Sequence, residues 1–186
     1  MRKIVFLALA ALALAGCASK GPAPADTELT LNLLTDEQGR GRFYVDGAVN
    51  PFTSYYLRIT TQPKYFLTAV IHVPKSVGRV EIEYMLALSE GGEQITEAAT
   101  KEYLLEYWDT MAGESDTKKK QKDGIERYYI PSNVIEGKKL GRDYAVVFVS
   151  KEPFKPTDRV EARILVDGEE KLFELDASAV VKAKKN

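Results

Sequence analysis

Residues 160–175 read VEARILVDGEEKLFEL, and this stretch decides the fold. Apolar and charged residues alternate on both sides of Asp167-Gly168, and a period of two is typical of half-buried β-strands. Asp-Gly is also a strong signal for a two-residue hairpin turn. The sequence therefore predicts a β-hairpin with the pairs Val160 and Leu175, Ala162 and Phe173, Ile164 and Lys171, and Val166 and Glu169.

The predicted register agrees with the hydrophobic pattern. It places apolar side chains on one face of the hairpin, namely Val160, Ala162, Phe173 and Leu175, and it places Glu161 and Glu174 on the other. A shift by one residue would reverse every face, so the turn and the pattern support each other.

Strand patterns recur along the chain. Leu29, Leu31 and Leu33 alternate with polar residues, as Val80, Ile82, Tyr84, Leu86 and Leu88 do in part. Further strand candidates, rich in β-branched and aromatic residues, are 42–46, 54–60, 65–73, 125–130 and 144–150. Turn-like sequences at 36–39, 90–93 and 136–139 separate some of them. We expect an all-β fold, a single antiparallel β-sandwich of about eight to ten strands, with a lipocalin-like β-barrel as the alternative.

Two central segments do not fit this pattern. Residues 101–109, KEYLLEYWD, carry apolar residues at both helix and strand spacing, so a short helix and a strand both remain open. The stretch that follows, 110–124, is polar and charged, and we expect a long mobile loop there.

The N-terminus has the layout of an export signal. Arg2 and Lys3 precede an apolar run over 4–14, which is shorter than the roughly 20 residues that cross a bilayer as a helix. We expect a cleaved signal over 1–16, a lipidated N-terminus and flexible tether over 17–27, one β domain over 28–180 and a frayed tail over 181–186.

The tetrapeptide Leu14-Ala15-Gly16-Cys17 resembles the lipobox of bacterial lipoproteins. The resemblance implies a diacylglyceryl group on the Cys17 thiol, cleavage before Cys17, and an N-acyl chain such as palmitate on the new amino group. An ordinary signal peptide with an incidental cysteine is the alternative. It is disfavoured because Cys17 is the only cysteine, and an exported protein would otherwise carry an unpaired thiol.

The position after the lipobox cysteine bears on location. Inner-membrane lipoproteins of Gram-negative bacteria tend to carry aspartate there, and this chain has Ala18. The resemblance therefore points to the outer membrane, with the domain in the periplasm or at the cell surface. The periplasmic face of the inner membrane is the alternative.

Composition argues against several kinds of site. Removing Arg2 and Lys3 with the signal leaves 24 basic and 27 acidic residues, a net charge of −3, which gives no case for nucleic acid. His72 is the sole histidine, so we expect no histidine-rich metal site, no histidine-activated nucleophile and no cofactor. Carboxylates at Glu81 and Glu83, and at Glu161 and Glu174, keep a glycan hydrolase as an alternative.

Two surfaces remain as candidates for binding. A basic run, Lys118, Lys119, Lys120 and Lys122, is suited to contact anionic lipid, although a solvated loop explains it as well. Outward tyrosines among Tyr55, Tyr56, Tyr128 and Tyr129 are suited to bind a partner, although cross-strand pairing explains them as well.

These observations predict a membrane-anchored, non-catalytic β-sandwich that binds another component of the envelope, in the first instance a protein. The alternatives are a lipocalin-like carrier of a lipophilic ligand and a glycan-acting envelope hydrolase.

Overall fold

The computed structural model describes residues 27–44, 50–53, 64–110 and 115–181, and eight strands and three α-helices form among them. The strands are β1 (Thr30–Leu34), β2 (Tyr65–Val73), β3 (Arg79–Leu88), β4 (Gln94–Glu97), β5 (Val134–Glu136), β6 (Arg142–Ser150), β7 (Arg159–Val166) and β8 (Glu169–Asp176). The helices are α1 (Asp36–Arg42), α2 (Lys101–Thr110) and α3 (Ser115–Tyr128), with short 3-10 turns at Gly137–Lys139 and Ala177–Ala179.

The strands form two antiparallel sheets that pack face to face. Sheet A has the order β1-β2-β6, and sheet B has the order β4-β3-β7-β8 with β5 also paired to β3. The predicted β-sandwich is therefore confirmed. The lipocalin-like barrel is wrong, because the described strands leave both sheets open.

The C-terminal hairpin has the predicted register, since all four predicted pairs are present. Asp167 and Gly168 have φ values of 52° and 87°, the positive values that a type I′ turn requires at both central positions. Local turn chemistry and side-chain alternation thus determine this part of sheet B.

Strands β2 and β6 of sheet A are buried on both faces, which makes the molecule three layers deep. One face packs against sheet B through residues such as Ile71 and Val146, and the other packs against the helices through residues such as Val70 and Val147. This double burial explains why β2 and β6 are almost continuously apolar, whereas β7 alternates strictly and exposes its outer side.

A β-bulge at Glu83 changes the facing of β3. Ile82 pairs with Ile164 and Tyr84 pairs with Arg163, so Glu83 is the additional residue. Downstream of the bulge, Met85 and Ala87 face the core. The expected common face of Val80, Ile82, Tyr84, Leu86 and Leu88 is therefore wrong beyond Ile82.

Helix α1 replaces a predicted turn at 36–39 and includes Arg42, the first residue of a predicted strand at 42–46; Phe43 and Tyr44 follow the helix and form no strand. Thr35 and Gln38 form a reciprocal capping box, in which the Gln38 amide donates to Thr35 Oγ1 at 3.2 Å and the Thr35 amide donates to Gln38 Oε1 at 2.9 Å. The strand candidate at 54–60 lies outside the described residues.

Helix α2 settles the open alternative at 101–109 in favour of a helix. Leu104 and Trp108, one helical turn apart, are both buried beneath it. Trp108 also donates a hydrogen bond from its indole nitrogen to the Pro51 carbonyl oxygen at 3.1 Å. This bond holds residues 50–53 against the helical layer.

Helix α3 contradicts the predicted loop at 110–124 over residues 115–124, and it contradicts the predicted strand at 125–130 over residues 125–128. Its buried side is narrow, consisting of Gln121, Gly124 and Ile125. Lys118 Nζ donates to the Asp109 carbonyl oxygen at 2.9 Å, and Lys122 Nζ lies 2.5 Å from Asp109 Oδ1. Cations at the last turn of α2 interact favourably with its negative C-terminal dipole, so these contacts join α3 to α2.

Candidate functional site

A cleft of about 410 Å³ opens at the edge of sheet B beside β3. Two chain segments cross there between the sheets. After β4, Ala98 donates to the Met85 carbonyl oxygen at 3.0 Å, and Ala99 donates to the Val147 carbonyl oxygen of sheet A at 2.8 Å. The first crossing segment therefore forms one wall of the cleft.

The second wall is the segment that leads into β5. Ile130 donates to the Ala145 carbonyl oxygen of sheet A at 3.1 Å, and the Asn133 carbonyl oxygen accepts from the Ile82 amide of sheet B at 2.7 Å. Between the two crossings, Glu83 and Tyr84 have no strand partner on this edge within the described part of the chain.

Side chains at the bulge point away from the cleft floor. Arg163 Nε lies 3.6 Å from Glu83 Oε2, and its guanidinium lies 5.4 Å from the Tyr84 ring centroid. Both contacts are on the outer face of sheet B. The cleft lining is mixed: it includes small and apolar residues, such as Ala98, Ala99, Ile130 and Val146, beside polar residues such as Thr100 and Asn133.

Tyr129 lines the base of the cleft and is 2% exposed. Its hydroxyl donates to the Ala99 carbonyl oxygen at 2.5 Å and accepts from the Val147 amide at 3.4 Å. Burial raises the pKa of Tyr129 well above its usual value. Tyr129 therefore acts as a neutral connection between the first crossing segment and β6.

The other predicted tyrosines do not join it in one exposed surface. Tyr128 is partly buried at the end of α3, where its hydroxyl donates to the Tyr44 carbonyl oxygen at 3.3 Å. Tyr55 and Tyr56 lie outside the described residues. Tyr129 belongs to the core, so the structure does not bring these side chains together as a binding face.

The four predicted lysines point in different directions. Lys118 and Lys122 are one turn apart on α3 and face α2, whereas Lys119 and Lys120 are exposed further around the helix. Acidic residues sit four positions away, as in Asp116 with Lys120. The lysines therefore form no single basic patch.

The predicted carboxylate pairs lie on the outer face of sheet B beside arginines. Arg79 pairs with Glu81 at 3.0 Å, and Arg159 Nε lies 3.0 Å from Glu161 and 3.6 Å from Glu174. These acids are thus paired with cations across an open sheet face.

His72 points away from the inter-sheet core, as its position between Ile71 and Val73 predicts. The His72 Nδ1 atom lies 2.8 Å from Asp143 Oδ1, and Nη2 of Arg42 in α1 lies 2.7 Å from Asp143 Oδ2. This network fastens α1 to sheet A. Within the described ranges, no group of three or more histidine, cysteine, aspartate or glutamate side chains is arranged to hold a metal ion.

Sequence reasoning missed the acidic rim of the cleft, formed by Glu97 at the end of β4 and Glu102 in the first turn of α2. Both residues are ordinary exposed glutamates in the sequence. Only the two crossings bring them to the same opening, and no local pattern predicts those crossings.

Comparison with known proteins identifies the N-terminus alone. Residues 1–18 match the model of a prokaryotic membrane lipoprotein lipid attachment site. The chain carries a lipoprotein signal. Cys17 of this lipoprotein lies within the match, which supports attachment to a membrane through lipid. No curated protein and no solved structure matches the lipoprotein significantly. Among the helices of the described residues, none is both long and apolar enough to span a membrane.

Proposed function

We propose that this lipoprotein is non-catalytic and that its domain binds another protein of the cell envelope. The observation that carries the proposal is the filled space between the sheets. Buried side chains from both sheets, such as Phe148 and Ile164, occupy it. A ligand must therefore bind at the surface, where the cleft beside β3 offers a concave site. Surface recognition favours a protein partner over an enclosed lipophilic ligand.

We place the lipoprotein in the outer membrane, because Ala18 stands where inner-membrane lipoproteins tend to carry aspartate. A lipid anchor and a short tether keep the domain near the membrane surface. Partners in the same envelope layer therefore meet it at a high effective concentration.

Site-specific photo-cross-linking in intact cells tests the proposal. A photoreactive residue is placed at Ser132, which is exposed on the cleft rim, and separately at Leu172, which is 64% exposed on β8. We expect a discrete protein adduct from at least one position. If lipid co-purifies and neither position gives a protein adduct, the proposed function is wrong.

A glycan hydrolase is the second candidate, because the cleft brings Glu97 and Glu102 to one opening. Hydrolysis of a glycosidic bond needs two carboxyl groups on opposite sides of the bond, about 5 to 10 Å apart. Release of reducing sugar from cell-wall glycan, lost in both Glu97→Gln and Glu102→Gln, would favour the enzyme over the binding protein.

A further inference from the structure

Two carboxylates on the cleft rim have no cationic partner among the described residues. Glu97 accepts a hydrogen bond from Gln94 Nε2 at a long 3.4 Å, and Glu102 enters no ion pair among the described residues. Both side chains are exposed. Their charges therefore remain available to a ligand at the mouth of the cleft.

The nearest cation on the same wall is already paired. Lys101 lies between the cleft and α3, and its ammonium forms an ion pair with Glu126 of α3. The Lys101 charge is thus offset by Glu126. The rim consequently presents net negative charge, since the third lining carboxylate, Glu83, lies beside Arg163 on the outer face.

Below this acidic rim the cleft lining is mixed, and its two opposing walls carry apolar side chains. Ala98 and Ile130 lie on the two opposing walls, and Val146 of sheet A lies between them. Lysine and arginine side chains combine an aliphatic stem with a charged head, so they match a slot whose walls carry apolar side chains and whose rim carries carboxylates. A ligand carboxylate would be repelled by Glu97 and Glu102.

We infer that the cleft beside β3 binds a lysine or arginine side chain of the envelope protein partner. This inference rests on the proposed function, because it specifies which surface of the domain the partner contacts and with which chemistry. The aliphatic stem packs between the two crossing segments. The cationic head lies between Glu97 and Glu102, where charge-assisted hydrogen bonds form.

The test uses the full lipidated chain with the photoreactive residue at Ser132. We expect the double variant Glu97→Gln/Glu102→Gln to lower the yield of the protein adduct about tenfold or more, because charge-assisted contacts are lost. The matched control is Glu106→Gln/Glu169→Gln, which removes the same charge from exposed sites outside the cleft lining and should leave the yield unchanged. Equal thermal unfolding of the two double variants verifies the fold.

A charge swap provides the second measurement. The cross-linked peptide locates the partner segment, and its lysine or arginine is changed to glutamate in cells. We expect loss of the adduct with the original chain and recovery with Glu97→Lys.

The possible failures are distinguishable. Two results would overturn the inference that the cleft binds a cationic side chain and leave the proposed function intact. One is an adduct at Ser132 that is insensitive to Glu97→Gln/Glu102→Gln, and the other is an adduct from Leu172 alone. The absence of a protein adduct at both positions overturns the proposed function itself.

Discussion

Asp167 of the β7–β8 turn accepts a hydrogen bond from the backbone amide of Arg79, the first residue of β3, at 2.8 Å. The same carboxylate accepts from the Gly78 amide at 2.9 Å, and the Asp167 amide donates to the Arg79 carbonyl oxygen at 2.9 Å. One residue therefore serves two functions. It adopts the positive φ of the hairpin turn, and it fixes the start of the neighbouring strand.

Replacing this carboxylate should weaken the whole of sheet B. We expect Asp167→Ala to lower the free energy of unfolding by about 1–3 kcal/mol, because two amides lose their acceptor and alanine tolerates positive φ poorly. Asparagine retains an acceptor and tolerates positive φ, so Asp167→Asn should lower the free energy of unfolding by less than about 1 kcal/mol. Urea denaturation measures both, and equal losses would contradict the double role.

Alkaline pH should destabilise the protein through Tyr129. Its pKa in the folded state is raised above the usual value near 10. Between those two values the unfolded chain releases the phenol proton and the folded chain keeps it, so stability falls as pH rises above about 10. Tyr129→Phe should lose less stability between pH 9 and 11 in urea titrations. The tyrosines at 103, 107 and 144, whose pKa values are also raised, remain in both proteins.

The lysines of α3 should separate into two pairs. The double variant Lys118→Ala/Lys122→Ala removes both contacts with Asp109 and should lower the free energy of unfolding by about 0.5–1 kcal/mol. The double variant Lys119→Ala/Lys120→Ala removes the same charge from exposed positions, and its free energy of unfolding should stay within about 0.5 kcal/mol of that of the original chain. Thermal unfolding at low salt compares them, and identical losses would show that position on the helix is irrelevant.

Lipidation should depend on a single thiol. We expect a clickable palmitate analogue to label the chain in cells and Cys17→Ser to remain unlabelled, because Cys17 is the only cysteine. Export with an uncleaved signal would accompany the loss of label. Equal labelling of the two chains would show that Cys17 is not the site of lipidation.

Membrane sorting should respond to the neighbouring residue. We expect the original chain in the outer-membrane fraction of a density gradient and Ala18→Asp in the inner-membrane fraction. Ala18→Ser serves as the control and should fractionate with the original chain. Inner-membrane fractionation of all three chains would refute the outer-membrane proposal.

The C-terminal hairpin was predictable because its information is local. The turn residues fix the backbone, and alternation fixes the faces, so the local sequence alone predicts the pair Val160 and Leu175 that the structure has. The sandwich follows for the same reason, because most of its strands alternate or are rich in β-branched residues.

Helices α1 and α3 were harder to predict because few of their residues are apolar. Helix α3 buries little more than Ile125, and a low apolar content was interpreted as a loop. Its lysines, glutamate and glutamine are good helix formers, and Lys122 and Glu126 have helical spacing. The Thr35–Gln38 capping box was a signal for α1 that turn propensity obscured.

The cleft and the bulge depend on long-range structure. Glu83 is the additional residue where β3 pairs with β7, and the other edge of β3 pairs with two separate strands. No local pattern around Glu83 indicates which partners will meet it. The candidate site could therefore not be predicted from the sequence, whereas four consecutive residues were enough to predict the lipid attachment site at Cys17.

The direction of β1 has a mechanical consequence. The Thr27 carbonyl oxygen accepts a hydrogen bond from Ser76 Oγ at 3.4 Å at one end of the sandwich, and β1 then runs along β2 towards the opposite end. A load applied between the lipid anchor and the opposite end of the sandwich pulls along the axis of β1. Because antiparallel hydrogen bonds lie perpendicular to the strands, this pull shears the five β1–β2 residue pairs together instead of unzipping them one by one. The β1–β2 pairing therefore resists a load in this direction more strongly than one that peels β1 away from the sheet edge.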